Sequence, residues 1–577
     1  MLKISKKSIS TFAGNIVSFG VKSDAEEIIC EISDSSVARL RCLNRGKYLV
    51  IPMNPGSAVL TVRAGQETAV CELNIREAKK SDPEGDFNIY VGDLHSHTSY
   101  SDGKLTPYDA YLQVREEGFF DFFTISDHAS LEDNDEFFDT FEAAEAVETD
   151  DFVAFAGCES EIDLVVENRI GEQQNNGGEM VTVNAEGYVN AESWEEFHEA
   201  IGNNPLAFGI LAHPQILGYS IKSLWNAFDL EYATTPRMLS LIHGVETGHE
   251  RSECSLVNER VYSTALDCGY RISPVVSSDH HGVLWGKRAS KRRTFLYSEG
   301  KSKELFLDAI INARTYSCET GNLRLFYKVN GHNPATILPL TDTYEFIITQ
   351  SLFDETKPED RTAYCEIVSD YGEIAAYRDV LSGEERFTMK VKSDTARYFY
   401  LKLYSETGEM TWSSPVWTGR AFDKYPKEEF SGKAINNDEF RIAYCSGGEG
   451  AGNILVPSLD SCYISDKSTA EIVIDMDRAY TINAVGFFSS APRRADFHSY
   501  AVFLSRYEVE TSEDGESLVP ASKGMMRIYG SEHISEFEER IARFIKVKAL
   551  SSVGSETRKE EYKNAPVAIG CVRVYGK

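Results

Sequence analysis

The chain has 577 residues, of which 42% are hydrophobic and 26% charged, and its formal net charge is −31. That length exceeds a single hydrophobic core and predicts about four domains, while the composition excludes wholesale disorder. The negative charge excludes a nucleic-acid backbone as the main partner, although bound cations can invert the field inside one cleft and admit a small phosphorylated substrate. No apolar run reaches the roughly 20 residues of a membrane span. Eleven cysteines fall without regular spacing or a CxxC pair, so reduced thiols are expected rather than a disulfide framework. The first ten residues carry no signal-peptide pattern, and the expected location is the cytoplasm, or outside the cell if a leader has been removed.

In chain order, residues 1–78 read as short alternating strands such as Tyr48-Leu-Val-Ile-Pro52 and Ser57-Ala-Val-Leu-Thr-Val-Arg63, separated by Gly and Asn turns. A polar linker, Lys79 to Asp86, follows. Residues 87–325 alternate apolar strand-like runs with helical patterns at Pro107 to Glu117 and Leu305 to Arg314, a β/α pattern. Residues 326–421 return to strands and predict a β-domain. A hydrophilic linker then leads to a last β-rich unit, 438–577.

The chemistry lies in the second segment, which holds nine of the twelve histidines. Six apolar runs there each end in a metal-competent side chain: His95 with His97, Asp127 with His128, Glu159, His213, Glu246, and Asp279 with His280 and His281. In a β/α barrel the carboxyl ends of the strands converge on one mouth, so these groups would meet despite their distance in sequence. Alternation along an extended strand puts His95 and His97 on one side, able to share a metal pair. Mixed imidazole and carboxylate donors suit Zn²⁺, Mn²⁺ or Fe²⁺. Two or three such ions acidify a water and hold the attacking and leaving oxygens of a displacement.

Gly92-Asp-Leu-His-Ser-His-Thr-Ser-Tyr-Ser-Asp-Gly103, with Thr124-Ile-Ser-Asp-His128, His213-Pro214 and Ser278-Asp-His-His281, resembles the PHP (polymerase and histidinol phosphatase) superfamily. The resemblance implies a distorted (β/α)7 barrel, flanked here by β-sandwich domains, with two or three divalent ions (Zn, Mn or Fe) performing phosphoester hydrolysis. It implies that His95, His97, Glu159 and Asp279 hold the first metal pair, that His128 and His213 bind a further ion, and that Asp102 and His281 complete the shell. Glu246 and His249 compete for one further ligand position, and Glu246 is preferred because it ends a strand. His213 and Asp127 are the expected proton handlers, Asp127 also as an orienting partner for a neighbouring histidine.

The basic run Lys287 to Arg293 places Arg292 or Arg293 at the expected barrel mouth, where a guanidinium could fork onto a phosphate, with Arg314, His249 and His280 as further substrate contacts. Glu167 to Glu192 reads as an insertion over the site, a lid. The stretches Asn312 to Gly321 and Thr411 to Trp417 resemble the PHP branch that includes carbaryl hydrolase, which implies a carboxylic or carbamate ester as the alternative substrate. Residues 1–78, through Gly56 to Val62, resemble a bacterial immunoglobulin-like domain. The last unit, through Ala470 to Asp475, Tyr507 to Gly515 and Val572 to Tyr575, resembles a discoidin-like module, which implies glycan contact, with Arg493, Arg494 and His498 as candidates. A glycan-binding protein with an inactive barrel is the reading from another class.

Overall fold

A computed structural model describes residues 1–214, 230, 235–248, 255–284, 290–420, 430–490, 499–527, 531–558, 560 and 562–577. The first 76 residues form two four-stranded sheets that close over Phe19, Val50, Leu60 and Leu73. Gly56–Ala64 and Glu67–Arg76 alternate buried and wetter positions, as the sequence pattern predicts, whereas Lys47–Pro52 is buried on both faces.

The segment that follows supplies the strands and helices labelled here. They are β1 (Asn88–Asp93), α1 (Pro107–Glu117), β2 (Phe122–Ile125), α2 (Asn134–Val147), β3 (Val153–Ile162), β4 (Gly178–Val183), β5 (Phe208–Leu211), β6 (Ile242–Gly248), α3 (Ser255–Asp267), β7 (Ser273–Val276), β8 (Arg293–Ser298), α4 (Lys303–Ile311) and β9 (Thr315–Cys318). Beyond it come β10 (Thr362–Val368), β11 (Ile374–Asp379), β12 (Tyr398–Ser405) and β13 (Met410–Trp412). Local chemistry sets the helix ends. Thr106 caps α1 ahead of Pro107, Gly118 ends it at φ 66°, and Asp133 with Glu136 forms a capping box on α2.

The expected (β/α)7 barrel is not what the chain builds. Among the described residues strand takes 46% and helix 15%, and the architecture is that of a multidomain β-sandwich protein. Two parallel trios, β1-β2-β3 and β5-β6-β7, are split by β4, which runs antiparallel to both its neighbours. On the other side β8 runs antiparallel to β1, and the sheet continues in the order β8-β9-β13-β12-β10-β11. The physical reason is the connection after β3. A hairpin and an antiparallel strand follow it where a barrel needs a crossover helix. The sheet also crosses the boundary expected at residue 325, since β9 pairs with β13.

The stretch read as a lid contains β4, whose Met180, Val181 and Val183 are fully buried at the middle of the sheet. The same stretch takes part in a two-stranded ribbon, Val165–Glu167 with Gln173–Asn175, and in a short strand, Asn190–Ala191, that pairs with β3. Ile16, Leu49 and Ile51 of the first module pack into the same core as Phe137, Phe141 and Phe295. The C-terminal unit is a six-stranded sheet built on two long strands, Ala470–Phe487 and His533–Ser552, beside a two-stranded one. Among the described residues no helix is long and apolar enough to cross a membrane.

Candidate metal centre

The strand ends still meet, because β1, β2, β3, β5, β6 and β7 share one sheet and six of the predicted groups sit at or just past their carboxyl ends. His95 and His97 follow β1 and bring their Nε2 atoms to 3.0 Å of each other. Glu159, on β3 and fully buried, lies 3.3 Å from His95 Nε2, 3.4 Å from His97 Nε2 and 3.3 Å from His213 Nε2. Asp279 Oδ1 stands 3.1 Å from His97 Nε2 and 3.5 Å from His95 Nε2. On the open side, Asp102 Oδ1 reaches His281 Nε2 at 3.1 Å and His128 Nε2 at 3.8 Å. The rings of His128 and His281 each stack on His97 at 4.3 Å between centroids.

The contacts to Glu159 are close without being hydrogen bonds. His128 Nδ1 lies 2.9 Å from Glu159 Oε2, yet His128 Nδ1 and both Glu159 oxygens are buried with no hydrogen-bond partner among the described residues. Buried polar atoms left this way normally mean a missing ligand, since each costs about 1–3 kcal/mol. Burial would raise the Glu159 carboxyl, but the His95 charge and the surrounding rings hold it well below its ordinary value. Burial would likewise lower His95, and the charges of Glu159, Glu246 and Asp279 overcome it and raise the imidazole. The pocket thus sets imidazole charge against a buried carboxylate. Two of its members also sit in the left-handed backbone region, His213 at φ 24° and Asp279 at φ 47°. Such conformations are costly for residues with a Cβ and concentrate at working sites.

The donor set fits divalent ions. His97, Asp102, His128 and His281 present ligand atoms within 4.8 Å of one another, as do His95, His97 and Glu159, and His95, His213 and Asp279. Imidazole with carboxylate is the chemistry of Zn, Mn and Fe sites.

Around this cluster stands a layer that orients it, and here the expectations need correcting. Glu246, expected as a ligand, faces the back of His95. Its Oε1 is 2.9 Å from Nδ1 and also accepts from the Ser277 hydroxyl, while Oε2 accepts the His213 backbone N–H at 2.8 Å. It fixes the tautomer of His95 rather than joining the ligand groups. Asp127, expected to handle protons, spends its oxygens on the Thr98 N–H, the Thr98 hydroxyl and the Ser101 hydroxyl, each at 2.6 Å. Ser101 Oγ in turn lies 3.4 Å from His97 Nδ1, so Asp127 is a positioning residue.

Arg293 is 2% exposed, with its guanidinium 4.9 Å from the Phe120 ring, and burial pulls its pKa down to about 10. Arg292 lies 3.9 Å from Glu319, and Arg314 pairs with Asp308 beneath the Phe87 ring. Arg293 opens β8, while Arg292 and Arg314 stand just before β8 and β9, and each of the three side chains is taken up by these neighbours. The backbone oxygen of His280 accepts the His97 N–H at 3.0 Å, which ties the last motif to the first. His243 is a core histidine set between the Ser240 and Arg271 carbonyls. His249, Arg493, Arg494 and His498 lie outside the described residues.

Sequence reasoning missed Glu161 and Glu179, which with His128 form a further group of possible ligand atoms. Glu161 is two residues from Glu159 on β3 and so shares its face, a signal that alternation alone could have supplied. Glu179 Oε2 stands 3.6 Å from His213 Nδ1, and it was hidden by the reading of β4 as a lid.

The chain matches no protein-family model and no curated protein. Among solved structures it is similar to CBM32-3 from a family 31 glycoside hydrolase of Clostridium perfringens, at 20% identity over 26% of this chain and 100% of that one, TM-score 0.22. It is similar to the C-terminal domain of a chitobiase from Bacteroides fragilis, at 17% identity over 25% of this chain and 98% of that one, TM-score 0.21. It is similar also to CpGH89CBM32-5 from Clostridium perfringens in complex with GalNAc-beta-1,3-galactose, at 16% identity over 25% of this chain and 100% of that one, TM-score 0.20. Likeness at this level leaves the functional reading to the side chains.

Proposed function

We propose that this protein is a metal-dependent hydrolase acting on an ester bond. The observation that carries this reading is the buried Glu159 carboxylate, surrounded by the ring nitrogens of His95, His97, His128 and His213 and hydrogen-bonded to none of them. His95, His97, His213, Glu159 and Asp279 would hold one ion, and His97, Asp102, His128 and His281 another. When bound, two or three divalent ions supply Lewis acidity and an acidified water. Glu246 and Asp127 hold His95 and His97 in register from behind, and Glu179 is placed to take the proton of His213 Nδ1. Asp102 and His281, 51% and 35% exposed at the side chain, line the side open to solvent, where protons exchange.

The walls favour one class of ester. A phosphoester is served by a guanidinium or ammonium at the mouth; among the described residues Arg292, Arg293 and Arg314 have other partners, and Lys287 and Arg288 lie outside the described residues. Leu131, Val283 and Leu284, each within three residues of His128 or His281, are 57%, 53% and 49% exposed. An apolar rim of this kind supports a carboxylic or carbamate ester over a phosphoester. The test is elemental analysis alongside turnover of p-nitrophenyl acetate, p-nitrophenyl phosphate and bis-p-nitrophenyl phosphate, repeated on a His95→Ala, His97→Ala variant. Metal and acetate turnover, both lost in the variant, are expected; turnover of the phosphates alone would reverse the substrate class. A chain without tightly held metal, still inactive after Mn²⁺ or Zn²⁺ is restored, would sink the enzyme.

A second reading, glycan binding with an inert centre, is supported by a cleft of about 350 Å³ in the C-terminal module, lined among others by Ser446, Tyr463, Asp466, Lys467 and Glu471. Glycan-array binding by chelator-treated protein, with no ester turnover, would favour it.

A further inference from the structure

A second cleft, of about 370 Å³, lies where α3, the β10–β12 pair and the C-terminal module meet. Its volume is that of a small-molecule site, within the roughly 300–1,000 Å³ usual for ligand pockets. None of its walls belongs to the histidine cluster.

Four cations and three carboxylates line it, and most of them neutralise one another. Lys402 pairs with Glu259. Arg260 and Arg506 share Glu556, at 3.1 and 3.0 Å. That leaves one charge of each sign. Arg558 lies flat on Tyr364, its guanidinium carbon 3.3 Å from the ring centroid, with no carboxylate in ion-pair range among the described residues. The Glu366 carboxylate receives the Tyr404 hydroxyl at 3.4 Å and, among the described residues, has no cation in ion-pair range. Glu366 is only 8% exposed, and burial raises its carboxyl above the ordinary range, against the pull of Lys402. Arg260, 5% exposed, keeps Nε and Nη1 without an acceptor.

Buried N–H groups and a lone buried carboxylate are costly unless something meets them. Tyr364 and Glu366 alternate on one face of β10, so the positive and negative positions stand about 6.6 Å apart along the strand. A ligand that satisfies both carries an anion and a cation a few bonds apart. We propose that this inter-domain cleft binds a free α-amino acid, its carboxylate forked by Arg558 and the unused N–H groups of Arg260, its ammonium held by Glu366. A planar guanidinium matches a carboxylate with two parallel hydrogen bonds, which a lysine could not supply. Because three parts of the chain contribute, occupancy would also clamp the C-terminal module to the rest and raise its melting temperature.

The experiment is isothermal calorimetry and thermal unfolding of the full chain with L-alanine and L-glutamate, compared with N-acetyl-L-alanine, L-alanine methyl ester, acetate and phosphate. Saturable binding of an amino acid is expected, weakened at least tenfold when either of its charges is blocked. Arg558→Gln and Glu366→Gln should each weaken it at least tenfold, with the ligand-free melting temperature reporting whether the variants fold. Binding of N-acetyl-L-alanine, acetate or phosphate as tight as that of the amino acid would overturn the proposal, as would an absence of saturable binding by both amino acids. Unchanged affinity in two folded variants would overturn it as well. The comparison of derivatives on the unmodified protein stands even if a variant fails to fold.

Discussion

The metal cluster and the Asp475 site of the C-terminal module both gather opposite charges, and they do so in opposite ways. Asp475 is served by Arg441 at 2.7 Å and by Arg543 at 2.8 and 3.0 Å, so every close contact is a hydrogen bond and each lone pair is spoken for. Those hydrogen bonds, that of Arg543 first, hold its carboxyl well below the usual range. Glu159 has four imidazole neighbours at 2.9 to 3.4 Å, and none of them is aligned to bond with it. The first arrangement is complete as it stands. The second is complete only with something at its centre, and that difference separates a structural ion pair from a ligand cage.

The comparison breaks most sharply at Glu159. Glu159→Gln keeps the volume and removes the charge that draws the rings together. Metal content should fall by at least one ion per chain. Turnover should fall by more than the 10–100-fold typical of residues that only orient ligands. Retention of full metal and full turnover would place Glu159 with Asp475, as a structural acid. Glu246→Gln comes next. It keeps the fold but weakens the hold on His95 Nδ1, so metal affinity should drop about 10–100-fold. Saturating metal should restore most of the turnover, which it could not do for a lost ligand.

The meeting of these side chains was legible in the sequence because each group follows an apolar run, and that pattern survives whatever sheet the runs enter. The departure from a barrel was not legible. Gly178 to Val183 carries Met180, Val181 and Val183, but Gly171, Gly177 and Gly178 read as loop, and β4 thereby vanished from the count. The arginines failed for a related reason. Lys287 to Arg293 looks like a solvated basic run, yet its last residue opens an interior strand whose every residue is buried. Composition reports what a segment contains; burial depends on which strands lie on either side.

Protons sharpen the comparison in the other direction. Burial would lower His128 and His213, but the nearby Glu159 raises both to about 9. A histidine must lose its proton to bind metal, so affinity should rise with pH up to about 9, by about tenfold per pH unit for each proton displaced. For the metal-free protein the sign reverses. The folded values lie above the ordinary one near 6.5. Their contribution is therefore full below about 6.5 and is lost as pH rises through 9. Unfolding of chelated and metal-loaded protein between pH 6 and 9.5 should give melting temperatures that fall in the first case and hold or rise in the second. Parallel curves would show that the cluster is not where the metal binds.

The smallest effect is expected at the other end of the comparison. Asp475→Asn leaves a side chain of the same size that can still accept from one arginine, and Arg441 is 64% exposed, so water takes up much of what is lost. An ion pair with one exposed partner contributes about 0–1 kcal/mol, and a charged hydrogen bond about 1.5–3 kcal/mol, so a loss of about 1 kcal/mol in unfolding free energy is expected. Metal content and turnover should not change, because nothing at Asp475 waits for a ligand. Loss of turnover in a folded Asp475→Asn variant would mean that the C-terminal module and the cluster are coupled, and that a saturated ion pair can serve function after all.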